Sequence, residues 1–243
     1  MLSMLVTRPE PDASETAARL AGLEIIPVIA PLLRFDLLQT SLPAADGFAA
    51  MAVTSANALR ALHDRGELGH FRHLKLYAVG ERTAAAARHY GFAQVASAAG
   101  DFAGLVELLA RSGIAGPVFY PAARDLAGDL ARSLAPFGIM VITAPVYGMA
   151  PVAELDSVVK AEIADGRIGA ALFYSRRTAE TFVALSGWLD RARRSSLGAL
   201  CLSEAVAEPL IAAHFVRIGL ADHPSENAML SLALSFARDQ NPA

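Results

Sequence analysis

Several arginines in this 243-residue chain follow short apolar runs, in turns that lead into Ala-rich segments. They are Arg8, Arg82, Arg124, and the adjacent pair Arg176 and Arg177. A strand that feeds a helix leaves free backbone N–H groups at the helix start, and these groups favour anions. The guanidinium group of arginine is planar and can donate two parallel hydrogen bonds to a carboxylate or a phosphate. The clustering predicts an anionic ligand, although each arginine taken alone is also explained as a solvated surface charge.

The familiar catalytic signatures are absent. The sequence contains no Walker A loop, GxGxxG, GxSxG, HExxH or CxxC motif. His70 and His73 share a loop-like stretch, but no carboxylate or thiol stands at ligand spacing, so we predict no metal and no nucleotide cofactor. Cys201 lies in an apolar strand and is interpreted as a packed core thiol. Tyr147 lies in a proline-containing segment where a core needs no phenol, which leaves functional and structural roles open.

Composition narrows the class of protein. The net charge is -3, which argues against nucleic acid as a partner. The single cysteine fits a reducing compartment. The apolar start is too short for a secretory signal, and no apolar run is long enough for a membrane span. We therefore expect a soluble cytoplasmic protein that has no membrane association.

Apolar runs alternate with Ala-rich helical patterns, which is typical of βαβ units and a parallel sheet. Residues 4–7 are predicted to form a strand, and residues 12–15 (DASE) resemble a capping box that opens a helix through Leu20. Gly22 is expected to end this helix in a left-handed conformation, before a strand over residues 23–28. The same helix–glycine–strand transition recurs at Gly91 and Gly138.

Two segments break the alternation. Residues 30–35 and 143–148 each contain a proline, and no helix follows either of them. If they are linkers, the first domain is discontinuous, with residues 1–32 plus 150–243, and the second comprises residues 40–143. The linkers are then residues 33–39 and 144–149. We expect the ligand to bind in the cleft between these two α/β domains.

A faint internal repeat supports two similar domains. Strands followed by a small polar residue and an Ala-rich helix occur at residues 51–57 and 76–84, and again at 172–179 and 200–207. Any single βα turn has this form, but four in matching order make gene duplication a plausible origin.

Five segments in order resemble the uroporphyrinogen-III synthase family. They are residues 6–9 (VTRP), 53–58 (VTSANA), 78–84 (AVGERTA), 145–147 (PVY) and 173–175 (FYS). The resemblance extends over nearly the whole chain, to residues 224–229 (PSENAM). Order and spacing carry it, since no single motif is specific.

The resemblance implies two flavodoxin-like, doubly wound parallel-sheet domains joined by a two-stranded linker. It also implies cyclisation of hydroxymethylbilane, a linear tetrapyrrole with eight carboxylates, with inversion of the last ring and loss of water through a spiro intermediate. No cofactor is needed. A monomer is expected, and direct handover of substrate from the preceding pathway enzyme is a further expectation.

Residue by residue, the resemblance makes Tyr147 the candidate catalytic group, assisting loss of the hydroxyl. One departure concerns the fourth turn, where Ser203 and Val206 replace the family's usual Gly and Thr, which leaves open whether Ser203 contributes more than its backbone. The predicted substrate-binding residues are Thr7, Arg8, Thr54, Ser55, Gly80, Thr83, Arg124, Ser175 and Ser203.

Two other functions stay open. The first is a non-catalytic two-domain α/β protein that binds a small polyanionic ligand. Such binding proteins are usually exported, and the sequence shows no signal peptide. The second is a nucleotide-sugar or cofactor-linked transferase, which should carry a Gly-rich phosphate loop that the sequence lacks.

Overall fold

The computed structural model describes residues 2–98, 100–126 and 128–240. The chain divides into two compact units. Unit 1 is formed by the segments up to residue 35 and from residue 150, and unit 2 by residues 36–149. The division points fall within the predicted linker 33–39 and at the end of the predicted linker 144–149. The predicted domain boundaries stay a prediction.

Strands and helices alternate through most of the described chain. The first segment contains β1 (Ser3–Val6), α1 (Asp12–Ala21) and β2 (Ile26–Ile29). The middle of the chain contains β3 (Leu33–Leu37), β4 (Ala50–Val53), α2 (Ala56–Asp64), β5 (Lys75–Ala78), α3 (Glu81–His89), β6 (Val95–Ser97), α4 (Phe102–Ala110), β7 (Val118–Ala123), α5 (Leu130–Leu134) and β8 (Val141–Pro151). The last part contains α6 (Ser157–Ala164), β9 (Ile168–Phe173), α7 (Arg176–Leu185), α8 (Arg191–Ser196), β10 (Gly198–Cys201), α9 (Glu204–Ala212), β11 (Arg217–Leu220) and α10 (Glu226–Gln240).

The sheet of unit 1 has the strand order β2-β1-β9-β10-β11, and every neighbouring pair is parallel. Numbered along the chain within the unit, this order is 2-1-3-4-5, which is the flavodoxin order. The predicted α/β class with parallel sheets is confirmed. Ligands of such sheets bind outside the carboxyl ends of the strands, which places Thr7, Ser175 and Ser203 at the relevant edge.

The sheet that contains the unit 2 strands has the order β3-β8-β7-β4-β5-β6, and β8 through β6 pair in parallel. Its arrangement matches unit 1 when β7 and β8 take the places of β1 and β2, and β4, β5 and β6 those of β9, β10 and β11. The internal repeat in the sequence aligned β4 with β9 and β5 with β10. Along the chain, the strands β1, β2, β4, β5 and β6 are thus followed by an equivalent set, β7 to β11. Each sheet combines the first two strands of one set with the last three strands of the other. This topology agrees with a duplicated unit whose two parts are exchanged between the sheets.

The central strands are buried on both faces, as parallel strands between two helical layers must be, whereas the edge strands β2, β6 and β11 are only partly buried. In β1, Leu5 packs into one apolar cluster and Met4 and Val6 into the cluster on the other face. All four residues of β4 are likewise buried. Because both faces of the central strands are committed to packing, their polar side chains concentrate in the turns at the strand ends.

The first helix lies where it was predicted, but the predicted capping interactions at its two ends were wrong. The N-cap of α1 is Pro11 without a side-chain hydrogen bond, so the predicted capping box does not form. Asp12 pairs instead with Arg8. Gly22 is right-handed, and Glu24 takes the left-handed conformation with φ of 61°. Strand β2 accordingly starts at residue 26, later than predicted.

The other two helix–glycine predictions are confirmed. Gly91 and Gly138 both adopt positive φ, of 93° and 71°, directly before the chain turns toward the next strand. Of the helices in the described part of the chain, none is both long and apolar enough to cross a membrane.

Candidate functional site

Tyr147 owes its place in unit 2 to an irregularity in β8. Ala122 on β7 pairs with Pro145, but the next residue, Ala123, pairs with Tyr147 rather than Val146. One extra residue is therefore accommodated in β8, as in a β-bulge. In an unbroken ladder Val146 would face Ala123, and a shift of one residue turns each side chain to the opposite face. The bulge thus selects the face toward which Tyr147 points.

Thr54 and Ser55 form the turn that leaves β4, the strand beside β7. Ser55 is the N-cap of α2, and its hydroxyl accepts a hydrogen bond from the Asn57 amide at 3.2 Å. The Thr54 hydroxyl lies 3.0 Å from the phenol oxygen of Tyr120, which comes from β7. Two consecutive hydroxyl residues are thus fixed, one by a helix cap and the other by a phenol.

The phenol of Tyr147 stays protonated at neutral pH. Burial raises its pKa because the phenolate is poorly solvated there, and the nearby Tyr120 raises it further. A hydrogen bond with Ser55 and the positive charge of Arg60 act in the opposite direction. A neutral phenol of this kind can donate a hydrogen bond, and two neighbours are placed to stabilise negative charge on its oxygen.

Arg124 leaves β7 beside Tyr147. Its amide donates a hydrogen bond of 2.8 Å to the Tyr147 carbonyl, which fastens this turn to β8. The side chain is exposed, and its guanidinium carbon lies 3.8 Å from where a Cβ on Gly148 would be. Across residues 2–98, 100–126 and 128–240, no carboxylate forms an ion pair with it. Arg124 is accordingly available to an anion.

Gly80 and Thr83 lie at the start of α3, beyond β5. Gly80 is the N-cap, with an extended backbone at φ of -168°. A Cβ added here would lie 3.1 Å from the Cα of Gly100, which is tighter than an ordinary van der Waals contact, so the close approach of the two backbones favours a residue without a side chain. Thr83 follows in the first turn of α3 and is 7% exposed.

Thr7 and Arg8 are committed to contacts inside unit 1. Thr7 is fully buried, and its hydroxyl donates a 2.5 Å hydrogen bond to the Leu172 carbonyl on β9. Arg8 forms ion pairs with Asp12 at 2.7 Å and with Glu226 at 2.5 Å. These contacts argue against the predicted substrate-binding role of both residues, and we interpret them as supports of the turn after β1.

Ser175 and Ser203 begin helices in unit 1 but differ in what their hydroxyls do. Ser175 caps α7, accepts a hydrogen bond from the Thr178 amide at 3.2 Å, and lies 2.7 Å from the Thr178 hydroxyl. Ser203 is the N-cap of α9 without a side-chain cap hydrogen bond. A backbone contribution from Ser203 fits this geometry.

The other arginines of the predicted cluster also have partners. Arg176 pairs with Glu180 and Glu208, and Arg82 and Arg177 each take part in an interaction as well. The anion-binding prediction is therefore strongest at Arg124. In the part of the chain that the structure describes, no group of three or more His, Cys, Asp or Glu side chains is placed to hold a metal ion.

Unit 2 brings together the predicted residues Thr54, Ser55 and Tyr147, and adds two that the sequence did not reveal. Tyr120 was hidden in an apolar strand, and Arg60 lies in α2, where no sequence motif distinguished it. The one signal for Tyr120 in the sequence is its position, because a phenol stands there in the apolar run just before the Arg124 turn.

Comparison with known proteins gives one family. Residues 14–231 match the family model described as uroporphyrinogen-III synthase HemD. The structure of uroporphyrinogen-III synthetase from Helicobacter pylori is similar, with 21% identity, a TM-score of 0.68, and coverage of 97% of this chain and 100% of that one.

A second solved structure supports the same fold. The mutant uroporphyrinogen III synthase from the extremely thermophilic bacterium Thermus thermophilus has 16% identity and a TM-score of 0.57, over 99% of this chain and 100% of that one. No curated protein matches the sequence.

Proposed function

The chain belongs to the uroporphyrinogen-III synthase family, and we propose that it cyclises hydroxymethylbilane with inversion of the last pyrrole ring and loss of water. Membership of this family makes the protein an enzyme of tetrapyrrole synthesis. The proposed reaction places it among the cyclising hydro-lyases of haem biosynthesis. The observation that carries the mechanism is the buried, protonated phenol of Tyr147 beside Ser55 and Arg60.

Tyr147 acts on the departing hydroxyl. The pyrrole ring expels this group as the carbon–oxygen bond breaks, and the Tyr147 phenol donates its proton to the leaving oxygen, so that water is released. Ser55 and Arg60 favour the negative charge that then develops on the phenol oxygen. The proton balance closes when the rearranged ring loses one proton to restore its aromaticity, because that proton returns to Tyr147.

Most of the catalysis is positioning. The substrate loses its hydroxyl readily, and the resulting cation lies next to a pyrrole that can attack it. The chain must be held so that attack occurs at the substituted carbon, which gives the spiro intermediate and then the inverted ring. Holding two reacting groups in a productive geometry is a large source of rate acceleration without strong acid–base groups.

The substrate carboxylates require cationic or N–H donors. Arg124 supplies an exposed guanidinium near Gly148, the residue after Tyr147. The helix starts at Ser55, Gly80, Ser175 and Ser203 supply backbone N–H groups. We propose the following substrate-binding residues: Thr54, Ser55, Gly80, Thr83, Arg124, Ser175 and Ser203.

Product analysis tests this function. Hydroxymethylbilane left alone closes to the symmetric type-I isomer, so purified protein should convert it to the type-III isomer at a rate proportional to protein concentration. A protein that only binds a polyanionic ligand would bind hydroxymethylbilane and leave the type-I product unchanged. That result would contradict the proposed function.

A further inference from the structure

Tyr120 has a hydroxyl that its packing does not require. The residue is 2% exposed in the middle of unit 2, and its ring packs among apolar neighbours such as Leu105 and Leu130 from the adjacent helices. A phenylalanine would fill the same space. Burying a hydroxyl is costly unless it has a hydrogen-bond partner, and here the partner is the Thr54 hydroxyl at 3.0 Å.

The Thr54–Tyr120 hydrogen bond joins the end of β4 to the middle of the neighbouring strand β7. Thr54 follows the last residue of β4, and Tyr120 stands on β7, which pairs with β4 on one side and with β8 on the other. Ser55 is the next residue after Thr54, and its hydroxyl is held by the start of α2. A constraint on Thr54 is therefore also a constraint on the Ser55 side chain, which meets Tyr147.

We propose that Tyr120 is a positioning residue for the reaction, in which its hydroxyl fixes Thr54 and thereby holds Ser55 against the phenol of Tyr147. This inference rests on the proposed function, because it assigns Tyr120 an effect on turnover that passes through Tyr147. Nothing requires Tyr120 to touch the substrate.

The protonation state of Tyr120 suits this role. Burial raises its pKa, while the hydrogen bond with Thr54 lowers it. The phenol is neutral under assay conditions, so it can donate to or accept from the Thr54 hydroxyl. A purely structural role, in which the bond only ties β4 to β7, would predict a loss of stability without a specific link to Tyr147.

A double-mutant cycle separates these two roles. Tyr120→Phe should lower kcat by about three- to tenfold, as expected for a lost neutral hydrogen bond, with KM within about twofold. In the Tyr147→Phe background, the same change should lower kcat by less than about twofold, because the group on which Tyr120 acts is already gone. Tyr77→Phe is the matched control, since Tyr77 is a buried tyrosine of the same apolar cluster, and it should keep wild-type turnover.

A second pair of variants changes Thr54, the other partner in the hydrogen bond with Tyr120. Thr54→Val removes the partner and should reproduce the Tyr120→Phe loss in kcat, whereas Thr54→Ser keeps a hydroxyl and should recover most of it. If Tyr120→Phe does not fold, the two Thr54 variants still test whether this hydrogen bond affects kcat.

Two results would overturn the proposal. The first is that Tyr120→Phe lowers kcat by the same factor in the wild-type and Tyr147→Phe backgrounds. The second is that neither Tyr120→Phe nor Thr54→Val lowers kcat. The proposed function has its own failure, which is absence of type-III product from the wild-type protein. An active wild type with a slow Tyr147→Phe variant and an independent Tyr120→Phe effect would contradict the inference about Tyr120 alone. Wild-type turnover by Tyr147→Phe would contradict it together with the role of Tyr147.

Discussion

Arg8 Nη1 lies 2.5 Å from Glu226 Oε2, and this ion pair connects the turn after β1 with the start of the last helix, α10. The two side chains are 14% and 26% exposed. The guanidinium also lies over the ring of Tyr174, 4.2 Å from its centroid. A largely buried cation with two carboxylate partners and a stacked ring is held firmly in place, which makes Arg8 a structural residue.

Arg8→Gln should therefore destabilise the protein without affecting substrate binding. Loss of hydrogen bonds to charged groups leaves Glu226 and Asp12 without their shared cation, and we expect the free energy of unfolding to fall by about 1–3 kcal/mol. Urea denaturation measures this fall, and KM should stay within about twofold of wild type. Arg19→Gln is the control, because it removes an exposed arginine of α1 that also reaches α10. A large rise in KM with unchanged stability would show that Arg8 binds substrate.

Arg124→Gln should have the opposite signature. Its guanidinium is exposed beside β8, so the substitution should cost little stability. We expect KM to rise about tenfold, because a hydrogen bond to a substrate carboxylate is lost. The effect should shrink at high salt, where exposed charges are screened. Steady-state kinetics at two salt concentrations measure this, with Arg132→Gln as a control for the loss of an exposed positive charge in the same unit. An unchanged KM would exclude Arg124 from substrate binding.

The alternation of apolar runs and helices was sufficient to predict the α/β class, because parallel strands covered on both faces must be continuously apolar. The turns after β4, β5 and β9 were also visible as small polar residues at fixed places. The pairing of Arg8 with Glu226 was not, because the two residues are far apart in sequence and either could have been a solvated charge.

The register of β8 was equally hidden. Tyr147 rather than Val146 lies opposite Ala123 only because β8 accommodates one extra residue against β7. This irregularity depends on how β8 pairs with β7, and it leaves no recognisable pattern of apolar and polar residues in so short a segment of sequence. Tyr120 was missed for a related reason, since a tyrosine in an apolar strand resembles a core residue until its hydroxyl partner is known.

Cys201 should be unreactive in the folded protein and dispensable for turnover. It is fully buried in β10, and burial raises the pKa of its thiol to about 12. A thiol reagent should therefore modify the protein only after denaturant is added, and the signal has no background because the chain has one cysteine. Cys201→Ala should lower the free energy of unfolding by about 1 kcal/mol. Rapid modification of the native protein, or a large loss of turnover in folded Cys201→Ala, would contradict the core assignment.

Tyr174 should make the protein less stable in alkali. Burial, followed by the negative charge of Glu226, raises its pKa to about 12 from the ordinary value of 10.0. The folded state therefore holds the phenol proton more tightly than the unfolded state. This contribution to stability is fully present below about pH 10 and is lost as pH rises toward 12.

Tyr174→Phe should accordingly show a shallower loss of stability over this interval than wild type. Urea denaturation at pH 8.5, 10 and 11 measures both slopes. Parallel slopes for the two proteins would mean that Tyr174 titrates alike in the folded and unfolded states.

The central claim is that the Tyr147 phenol assists departure of the substrate hydroxyl, and the isomer ratio of the Tyr147→Phe variant tests it most directly. A positioned acid contributes about 10²–10⁴-fold in general, and this labile leaving group should need only the low end, so we expect turnover about tenfold to a hundredfold slower. Substrate binding should change less than turnover. Tyr90→Phe, at the end of α3, is the matched control and should behave as wild type.

Slower turnover lets more hydroxymethylbilane close by itself, so the products of Tyr147→Phe should shift from the type-III isomer toward the type-I isomer, with no third product. Chromatography of the oxidised products gives the ratio. A Tyr147→Phe protein with the wild-type rate and the wild-type proportion of type-III isomer would contradict the claim and leave Tyr147 as a structural residue of β8.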